Sequence, residues 1–230
     1  MKILVIIPAH NESKNIVDLL KKFDKVTLSI DIVVIDDASQ DNTSTIAQNM
    51  GAKIIRLPFN LGIGGTMQTG YLYAYYNDYD ITVQVDGDGQ HNPGDIETLV
   101  NPIINNEADM VIGSRFIEFK GFQSSYIRQL GIKYFENLIY LITGNRYTDP
   151  TSGFRACNRK VFANFVKYYP CDYPEPESLV TISRKKLKVI EVPTVMNERK
   201  EGQSSIRSFK ILYYMFKVTL AILIDIFKKR

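Results

Sequence analysis

The first half of the chain alternates short apolar runs with segments of helical periodicity, and this alternation limits the fold more than any other feature. The runs are rich in Val and Ile, and the segments between them space apolar residues three or four positions apart. Five strands are predicted, at residues 2–7, 31–35, 53–57, 81–85 and 110–113. Four helices are predicted between them, at residues 11–23, 43–50, 61–76 and 92–103. Strands separated by helices imply an α/β fold with a mostly parallel sheet flanked by helices.

The second half of the chain is less regular. Residues 149–156, "DPTSGFRA", are predicted to form a polar loop between helical stretches, and one further strand is predicted to end near Pro193. The sequence has no internal repeat and no low-complexity linker. A chain of 230 residues is long enough for one substantial core. We therefore predict a catalytic domain over residues 1–205 and a separate C-terminal helix over residues 206–230.

Composition restricts the cellular setting and the partners. A net charge of +3 is too small to indicate nucleic-acid binding. Cys157 and Cys171 do not have a metal-binding spacing, so they are expected to be reduced thiols of a cytosolic protein. The opening residues, "MKILVIIPAHNE", contain only a short apolar run and fit a first strand better than a signal peptide.

The C-terminal segment is strongly apolar from Ile211 to Phe227 but contains Lys217 and Asp225. It is slightly short for a membrane span, which needs about 20 apolar residues, and two charges would lie inside the bilayer. The basic residues that flank it are Arg207, Lys210, Lys228, Lys229 and Arg230. An amphipathic helix at an anionic membrane surface fits this pattern best, and a core or oligomer-interface helix is the alternative.

Polar clusters follow four of the predicted strands. They are "PAHNE", "DDAS", "DGDGQH" and "GSR", after the first, second, fourth and fifth strands. Ligands of parallel α/β sheets bind outside the carboxyl ends of the strands, so the four clusters are expected to meet at one edge. A dinucleotide-binding site is excluded because no G-x-G-x-x-G follows the first strand. The glycine cluster, "NLGIGGTMQTG", follows the third.

The "DGDGQH" cluster suits a metal–diphosphate site. Asp86 and Asp88 lie on the same side of an extended chain, and Gln90 continues that side if the chain stays extended. Magnesium and manganese ions take carboxylate and amide oxygens and commonly keep positions for diphosphate oxygens. The glycines between the carboxylates would let a diphosphate approach the backbone. A plain polar turn after a strand is the competing interpretation.

Other charged residues complement this cluster. Asp36 and Asp37 end the second strand, and Glu12 follows the first. All three are placed to accept hydrogen bonds from a base or ribose, with helix capping as the alternative. The arginine fork matches phosphate oxygens, so arginines beside a metal–diphosphate site suggest a second anionic ligand. Each one alone also fits a surface position. These arginines are Arg115, Arg128, Arg155 and Arg199.

Seven motifs in order resemble the family-2 glycosyltransferases with a GT-A fold, in the branch of dolichol-phosphate mannose synthases and bacterial polyprenyl-phosphate glycosyltransferases. The motifs lie between residues 5 and 205. They are "VIIPAHNE", "VVIDDASQDNT", "NLGIGGTMQTG", "VQVDGDGQHNP", "VIGSRF", "DPTSGFRA" and "EVPTVMNERKEGQSS". The resemblance implies a GT-A, Rossmann-like mixed sheet and transfer of a sugar from a nucleotide-sugar.

The resemblance also implies roles for individual positions. The nucleoside would be held by Pro8, His10, Glu12, Ile35 and Asp37. The Mg²⁺ or Mn²⁺ ion would be held by Asp86, Asp88 and Gln90, with Gly87 along the diphosphate. The diphosphate and an acceptor phosphate would be met by Arg115, Arg128 and Arg199, which with Asp88 form the catalytic set. His10 replaces the tyrosine often found there, and Ser205 stands where some relatives carry a lysine. Asp149, Ser152 and Arg155 would form the floor of the site.

The implied reaction is metal-dependent and inverts the anomeric centre, with a membrane polyprenyl phosphate as acceptor for cell-envelope glycan synthesis. A phosphate oxygen is already anionic, so no strong base is required, and the metal offsets the charge of the leaving diphosphate. Glu175 and Glu177 are the base candidates should one be needed. UDP-glucose or UDP-N-acetylglucosamine is the preferred donor, and GDP-mannose is the alternative. A glycan hydroxyl acceptor and a non-enzymatic nucleotide-sugar-binding subunit are the other interpretations.

The acceptor implies a location and further partners. A polyprenyl phosphate lies in the bilayer with its phosphate at the surface, so the chain is expected on the cytoplasmic face of the cell membrane. The C-terminal helix would hold the active site there. A small membrane protein or self-association would assist the anchoring. No nucleic acid is expected among the partners.

Overall fold

The computed structural model describes residues 1–123, 125–198 and 208–227. Its strands in these ranges are β1 (Ile3–Ala9), β2 (Asp31–Asp36), β3 (Lys53–Arg56), β4 (Ile81–Gln84), β5 (Met110–Ser114), β6 (Arg155–Asn158) and β7 (Val189–Pro193). Its α-helices are α1 (Ile16–Lys22), α2 (Thr43–Asn49), α3 (Gly62–Tyr76), α4 (Ile96–Ile104), α5 (Tyr126–Thr143), α6 (Arg159–Lys167), α7 (Pro174–Arg184) and α8 (Ser208–Phe227). All five strands and four helices predicted for the first half are present.

The strands form one mixed sheet in the order β3-β2-β1-β4-β6-β5-β7. The parallel pairs are β1 with β2, β1 with β4, β2 with β3, and β5 with β7. Strand β6 is antiparallel to both of its neighbours. The predicted, mostly parallel sheet is therefore confirmed. The predicted polar loop over residues 149–156 is wrong at its end, because Arg155 and Ala156 already belong to β6.

Two apolar layers cover the sheet. Alternate residues of β1 point to opposite faces, so Leu4 and Ile6 join one layer and Val5 and Ile7 join the other. The first layer contains residues of α3, α5, α6, α7 and α8, and the second contains residues of α1, α2 and α4. With both faces covered, the functional groups are left to the edge where the parallel strands end.

The first predicted helix begins later than its apolar spacing suggests. Asn11 has a positive φ of 57°, which takes the chain out of the extended conformation directly after β1. The carbonyl of Glu12 then accepts hydrogen bonds from the amides of Asn15 and Ile16, and α1 starts at Ile16. The residues between β1 and α1 therefore form a tight turn at the sheet edge instead of a helical turn.

The C-terminal helix is confirmed, and it shares the core of the catalytic domain. Tyr214, Val218 and Ile222 are buried in the layer that contains α5 and α7. The large apolar residues exposed on the same helix are Tyr213, Phe216, Leu220, Leu223 and Ile224. The described part of α8 is thus apolar on both its buried and its exposed sides, whereas an amphipathic surface helix turns polar residues outward. In the described ranges, no helix combines the length and hydropathy that crossing a bilayer requires.

Candidate active site

The carboxyl ends of β1, β2 and β4 open onto a cavity of about 510 Å³. Its walls include seven of the residues assigned to the site from the sequence: Pro8, His10, Glu12, Asp37, Asp86, Gly87 and Asp88. The lining also includes the start of α3, at Gly62, Ile63 and Thr66, and Asp172 and Tyr173 just before α7. The structure therefore brings the predicted nucleoside and metal residues together around one volume.

Asp37 joins the end of β2 to the beginning of α3. Its carboxylate accepts hydrogen bonds from the amide of Leu61 at 2.6 Å and from the amide of Gly62 at 3.0 Å. Its amide donates to the carbonyl of Ala9 at 2.8 Å, which ties β2 to β1. His10 Nδ1 donates to the carbonyl of Asp37 at 2.7 Å, so the imidazole is held at the cavity wall. The capping interpretation of Asp37 is thus realised at α3, in a residue that also lines the cavity.

Asp36 has a structural role instead of a ligand-binding one. It is fully buried, and its carboxylate accepts hydrogen bonds from the amide of Ser39 and the hydroxyl of Ser44. Arg56 Nε lies 3.7 Å from the same carboxylate. The Asp36 carboxylate oxygens, which we expected to accept hydrogen bonds from a base or ribose, are therefore occupied by contacts within the protein.

Asp86 is oriented by two buried neighbours. The side-chain amide of Gln84 donates to Asp86 Oδ1 at 3.0 Å. The amide of Asp86 donates to His91 Nδ1 at 3.1 Å, which leaves the proton of His91 on Nε2, 3.8 Å from Asp86 Oδ2. His91 is buried and stacks on Phe154 with ring centroids 4.9 Å apart. The roles of Gln84 and His91 were missed from the sequence, although both residues flank the acidic motif.

The Asp86 carboxylate also lies against the loop before β6. A Cβ atom built on Gly153 would be 2.9 Å from Asp86 Oδ2 and 2.8 Å from Gln84 Nε2. A side chain at position 153 would push the carboxylate out of this place. Because Gly153, the glycine of the "SGF" motif, has no side chain, the loop can pack against the Asp86 carboxylate.

Two residues assigned to the nucleoside and the metal do not line the cavity, and neither do Arg115 and Arg128. Ile35 is fully buried in the core between β2 and the helices, so its side chain has no access to a nucleoside. Gln90 was expected beside the aspartates only if the chain stayed extended, but Gly89 has a φ of +75° and turns it away. The Gln90 side chain donates instead to the carbonyl of Asn197, and the amide of Asn197 donates to the carbonyl of Gln90.

Arg115 is part of a buried network at the end of β5. Its Nε and Nη2 atoms bind the two carboxylate oxygens of Asp149 at 2.6 and 2.7 Å. Burial opposes the charged form, but the charge and hydrogen bonds of Asp149 raise the pKa of Arg115. Glu191 in β7 accepts hydrogen bonds from the amides of Thr148 and Asp149, which fixes Asp149 in turn. The Arg115 guanidinium is thus held in one orientation by Asp149.

Arg128 lies next to Arg115. It is half-buried at the start of α5, and burial together with the charge of Arg115 lowers its pKa. Two guanidinium charges within electrostatic range of each other create a local positive potential that favours an anion. Arg199 and Ser205, the remaining predicted contacts, lie outside the described residues.

The floor of the site contains a buried arginine and an unusual carboxyl group. Arg155 is 1% exposed and donates to the carbonyls of Pro150, Ser152 and Glu175 and to the hydroxyl of Ser178. It therefore ties the 150–153 loop to the first turn of α7. Burial raises the pKa of Glu175 to about 7, although the charge of Arg155 opposes this. Of the two base candidates, Glu175 is the one with this perturbed pKa.

The carboxylates fit a hard divalent cation that shares its shell with a ligand. No group of three His, Cys, Asp or Glu side chains is positioned to hold a metal ion anywhere in the described ranges. Asp86 and Asp88 nevertheless place two carboxylates on one wall of the cavity. Oxygen donors of this kind suit Mg²⁺ or Mn²⁺ better than a soft metal. A cation held here would need further oxygens, such as those of a diphosphate or water.

Comparison with known proteins agrees with this geometry. The family model described as "Glycosyl transferase family 2" matches residues 4–165. UDP-N-acetylglucosamine–dolichyl-phosphate N-acetylglucosaminyltransferase of Methanococcus voltae is 31% identical, over 97% of the chain and 98% of that protein. Dolichol-phosphate mannosyltransferase of Pyrococcus furiosus is 31% identical, over 94% of the chain and 62% of that protein.

Among solved structures, glucosyl-3-phosphoglycerate synthase from Mycobacterium tuberculosis, in complex with Mn²⁺ and UDP-glucose, superimposes with a TM-score of 0.70. The match covers 97% of the chain and 78% of that protein at 21% identity, so it supports the fold alone. The family match, by contrast, covers most of the sheet and the cavity walls up to α6. The chain therefore belongs to glycosyl transferase family 2, with the GT-A fold, and is a glycosyltransferase.

Proposed function

We propose that the chain transfers a sugar, with inversion, from a nucleoside diphosphate sugar to the phosphate of a polyprenyl lipid, and that it requires Mg²⁺ or Mn²⁺. One observation carries the proposal: the charge of Asp86, one of the paired carboxylates after β4, acts on Arg115, and the charge of Arg115 acts in turn on Arg128. The carboxylates suit the donor diphosphate through a cation, and the arginines suit a second anion. The names of the M. voltae and P. furiosus relatives specify a dolichyl or dolichol phosphate.

The nucleoside end of the donor lies against the β1 and β2 strand ends in this proposal. His10 is fixed by the carbonyl of Asp37, and Glu12 accepts a hydrogen bond from the Asn15 side chain at 2.7 Å. The side chains are therefore oriented before a ligand arrives, which lowers the entropic cost of binding. Asp37 contributes by holding the start of α3 as the facing wall.

The diphosphate lies over Asp86, Gly87 and Asp88. The two carboxylates would hold a divalent cation, which would supply charge stabilisation for the departing nucleoside diphosphate when bound. Gln84 and His91 hold Asp86 in the orientation that this requires. Asp88 is held near the turn by the amide of Gln90, which donates to its Oδ1 at 3.1 Å.

The acceptor phosphate lies at Arg115 and Arg128. Asp149 holds Arg115 by a two-point contact, so Arg115 is positioned without reorganisation during the reaction. The phosphate oxygen is anionic near neutral pH and attacks the anomeric carbon from the side opposite the diphosphate. No side chain has to remove a proton from it, and the product is a lipid-linked sugar of inverted configuration.

The chain lies on the cytoplasmic membrane surface in this proposal, and the apolar outer sides of α5 and α8 support it. The large exposed residues of α8 are apolar, and so are Tyr126, Ile127 and Leu130 at the start of α5, the helix that also carries Arg128. The hydroxyls of Tyr134 and Thr219, 2.9 Å apart, join the two helices. Burying such a surface in the interfacial region of a bilayer is favourable. Alternatively, a small membrane protein or a second copy of the chain covers these exposed apolar residues.

The donor is UDP-N-acetylglucosamine or UDP-glucose in this proposal. The name of the M. voltae relative specifies UDP-N-acetylglucosamine, and the alignment extends over nearly all of both proteins. GDP-mannose is the alternative, because the P. furiosus relative is named a mannosyltransferase. Cell-envelope glycan synthesis is the process that such a lipid-linked sugar serves.

A second candidate function is transfer to a glycan hydroxyl. It is favoured by Glu175, whose pKa of about 7 suits a general base at neutral pH. This acceptor would make the Arg115–Arg128 pair unnecessary, so we rank it second.

Transfer to defined acceptors tests the proposal. The purified full chain is incubated with Mg²⁺ or Mn²⁺, polyprenyl phosphate and a panel of radiolabelled UDP- and GDP-sugars. We expect label in the lipid fraction with one donor, and no label when polyprenol without phosphate replaces the acceptor. Label on an oligosaccharide hydroxyl but not on the lipid phosphate would favour the second function. No transfer from any donor to either acceptor would refute both.

A further inference from the structure

Part of the cavity wall comes from a short segment, residues 170–173, between α6 and α7. Its Asp172 and Tyr173 line the cavity. On one side the segment fits tightly against α3, because the amide of Gly64 donates to the carbonyl of Cys171 at 3.0 Å. A Cβ atom on Gly64 would lie 2.0 Å from the carbonyl oxygen of Pro170, so only glycine permits this approach. We refer to residues 170–173 as the donor wall.

The backbone of the donor wall is held in an unfavourable conformation. Tyr173 has φ 51° and ψ 57°, in the left-handed region, directly before the first turn of α7. This conformation is higher in free energy for a non-glycine residue, which keeps it only when surrounding contacts impose it. The contacts that hold Tyr173 therefore control the shape of the cavity.

One such contact comes from the C-terminal helix. The ring of Tyr214 in α8 lies 4.4 Å from the ring of Tyr173, with an interplanar angle of 61°. The Tyr214 ring also packs against Phe135 of α5, with ring centroids 5.1 Å apart. One turn along α8, Lys217 Nζ donates to the carboxylate of Asp172. Consecutive turns of α8 thus hold the two cavity-lining residues of the donor wall.

Tyr214 also lies close to the charged groups of the site. It is 8% exposed, and burial followed by the charge of Glu175 raises its pKa above the usual value for tyrosine. The charge of Asp149 acts on Tyr214 as well, and Tyr214 in turn contributes to the raised pKa of Arg115. Tyr214 therefore contacts the donor wall and is within electrostatic range of the charged groups at the floor of the site.

The rest of α8 is fixed independently of the donor wall. Arg184 at the end of α7 donates to the carbonyls of Asp225 and Ile226, and Val218 and Ile222 are fully buried. Loss of Tyr214 or Lys217 would therefore leave the helix attached at its other end. Replacing either side chain can therefore change the cavity without detaching the helix.

We propose that Tyr214 and Lys217 are positioning residues for the sugar donor, which act by holding Tyr173 and Asp172 in the cavity wall. The inference rests on the proposed function, since it takes a nucleoside diphosphate sugar as the occupant of the cavity. It assigns to the C-terminal helix a part in donor binding, in addition to its proposed contact with the membrane.

Four variants of the full chain, purified in detergent, test the proposal by calorimetric titration with UDP and with GDP in the presence of Mn²⁺. Tyr214→Ala removes the ring and is expected to weaken nucleotide binding about tenfold, the equivalent of one strong aromatic contact. Tyr214→Phe keeps the ring and is expected to stay within about twofold of the parent. Lys217→Met is expected to weaken binding by up to about fivefold, and Lys217→Arg to restore it.

Matched controls lie at the opposite end of the sheet. Tyr76→Ala removes an exposed ring from the end of α3, and Lys160→Met removes an exposed partner of Asp109. Both are expected to bind nucleotide as the parent does. In the transfer assay, Tyr214→Ala should raise the KM for the donor while the KM for polyprenyl phosphate stays unchanged. A merely structural role would lower the folded fraction and leave both KM values unchanged.

The outcomes separate this inference from the proposed function. Parent-like nucleotide affinity in folded Tyr214→Ala and Lys217→Met variants would overturn the inference and leave the function intact. If Tyr214→Ala does not fold, the comparison of Lys217→Met with Lys217→Arg decides. A parent chain that neither binds UDP or GDP nor transfers sugar would overturn the proposed function and the inference together.

Discussion

Replacement of Glu175 by glutamine distinguishes the two acceptor classes, because only a hydroxyl acceptor needs a base. Glu175 is the carboxyl group of the site floor with a pKa raised to about 7 by burial. If it removed a proton from a hydroxyl acceptor, Glu175→Gln would lower kcat by roughly 10²- to 10⁴-fold. With a phosphate acceptor the variant loses only polar contacts, so we predict less than about a tenfold reduction.

The dependence of the transfer rate on pH is a second, independent test of the two acceptor classes. A base with the pKa of about 7 found for Glu175 is roughly 24% ionised at pH 6.5 and roughly 97% at pH 8.5, so the rate would rise about fourfold. A phosphate monoester with a second pKa of about 6 is already mostly ionised, and a rate that follows it rises only about 1.3-fold over the same range. We predict the smaller rise, and we expect Glu175→Gln to leave it unchanged.

The assay is transfer of labelled sugar to polyprenyl phosphate at saturating donor, from pH 6.5 to 8.5. Glu177→Gln is the matched control, since Glu177 lies in the same helical turn of α7 and was the other base candidate. A loss of about a thousandfold in Glu175→Gln, together with a fourfold pH dependence that this variant abolishes, would refute the phosphate-acceptor reasoning.

Three further predictions concern the metal, the floor and the membrane surface. Asp88→Ala should abolish transfer almost completely while the circular dichroism spectrum stays that of the parent, and unchanged transfer would count against the metal role. Asp149→Asn leaves the buried Arg115 guanidinium without its charge partner. It should therefore cost about 3–5 kcal/mol of stability and lower Tm by roughly 6–20 °C in a thermal melt, whereas a shift below about 2 °C would contradict the buried-pair account. Phe216→Ser with Leu220→Ser removes two exposed apolar side chains of α8 and should reduce co-sedimentation with anionic vesicles by about tenfold. Tyr76→Ser is its control, and equal co-sedimentation of both variants would exclude α8 as the membrane contact.

The strand ends could be predicted from the sequence because local pattern and a general rule of parallel sheets are enough. Apolar β-branched runs fixed β1, β2 and β4, and the rule that ligands bind at carboxyl ends brought Glu12, Asp37 and Asp86 to one cavity. The contacts that each side chain makes could be predicted less well. Asp36 and Asp37 are adjacent in sequence, but one is buried in a loop network and the other caps α3 beside the cavity.

The remaining features depend on contacts between distant segments. Strand β6 was missed because it has four residues, one of them the buried Arg155, and so lacks an apolar pattern. The path of Gln90 depends on the left-handed conformation of Gly89. The approach of Tyr214 to Tyr173 joins residues 41 positions apart, which no local periodicity encodes.

Binding of Mn²⁺ to the full chain, followed by electron paramagnetic resonance with and without UDP, tests the central claim most directly. In the described ranges no third His, Cys, Asp or Glu side chain is grouped with Asp86 and Asp88 so as to hold a metal ion, and in this account the diphosphate supplies further oxygens of the metal shell. We predict one tightly bound Mn²⁺ per chain with UDP present, weak binding without it, and loss of both in Asp86→Ala/Asp88→Ala. Equal Mn²⁺ binding by that double variant, or binding that UDP does not strengthen, would contradict the account.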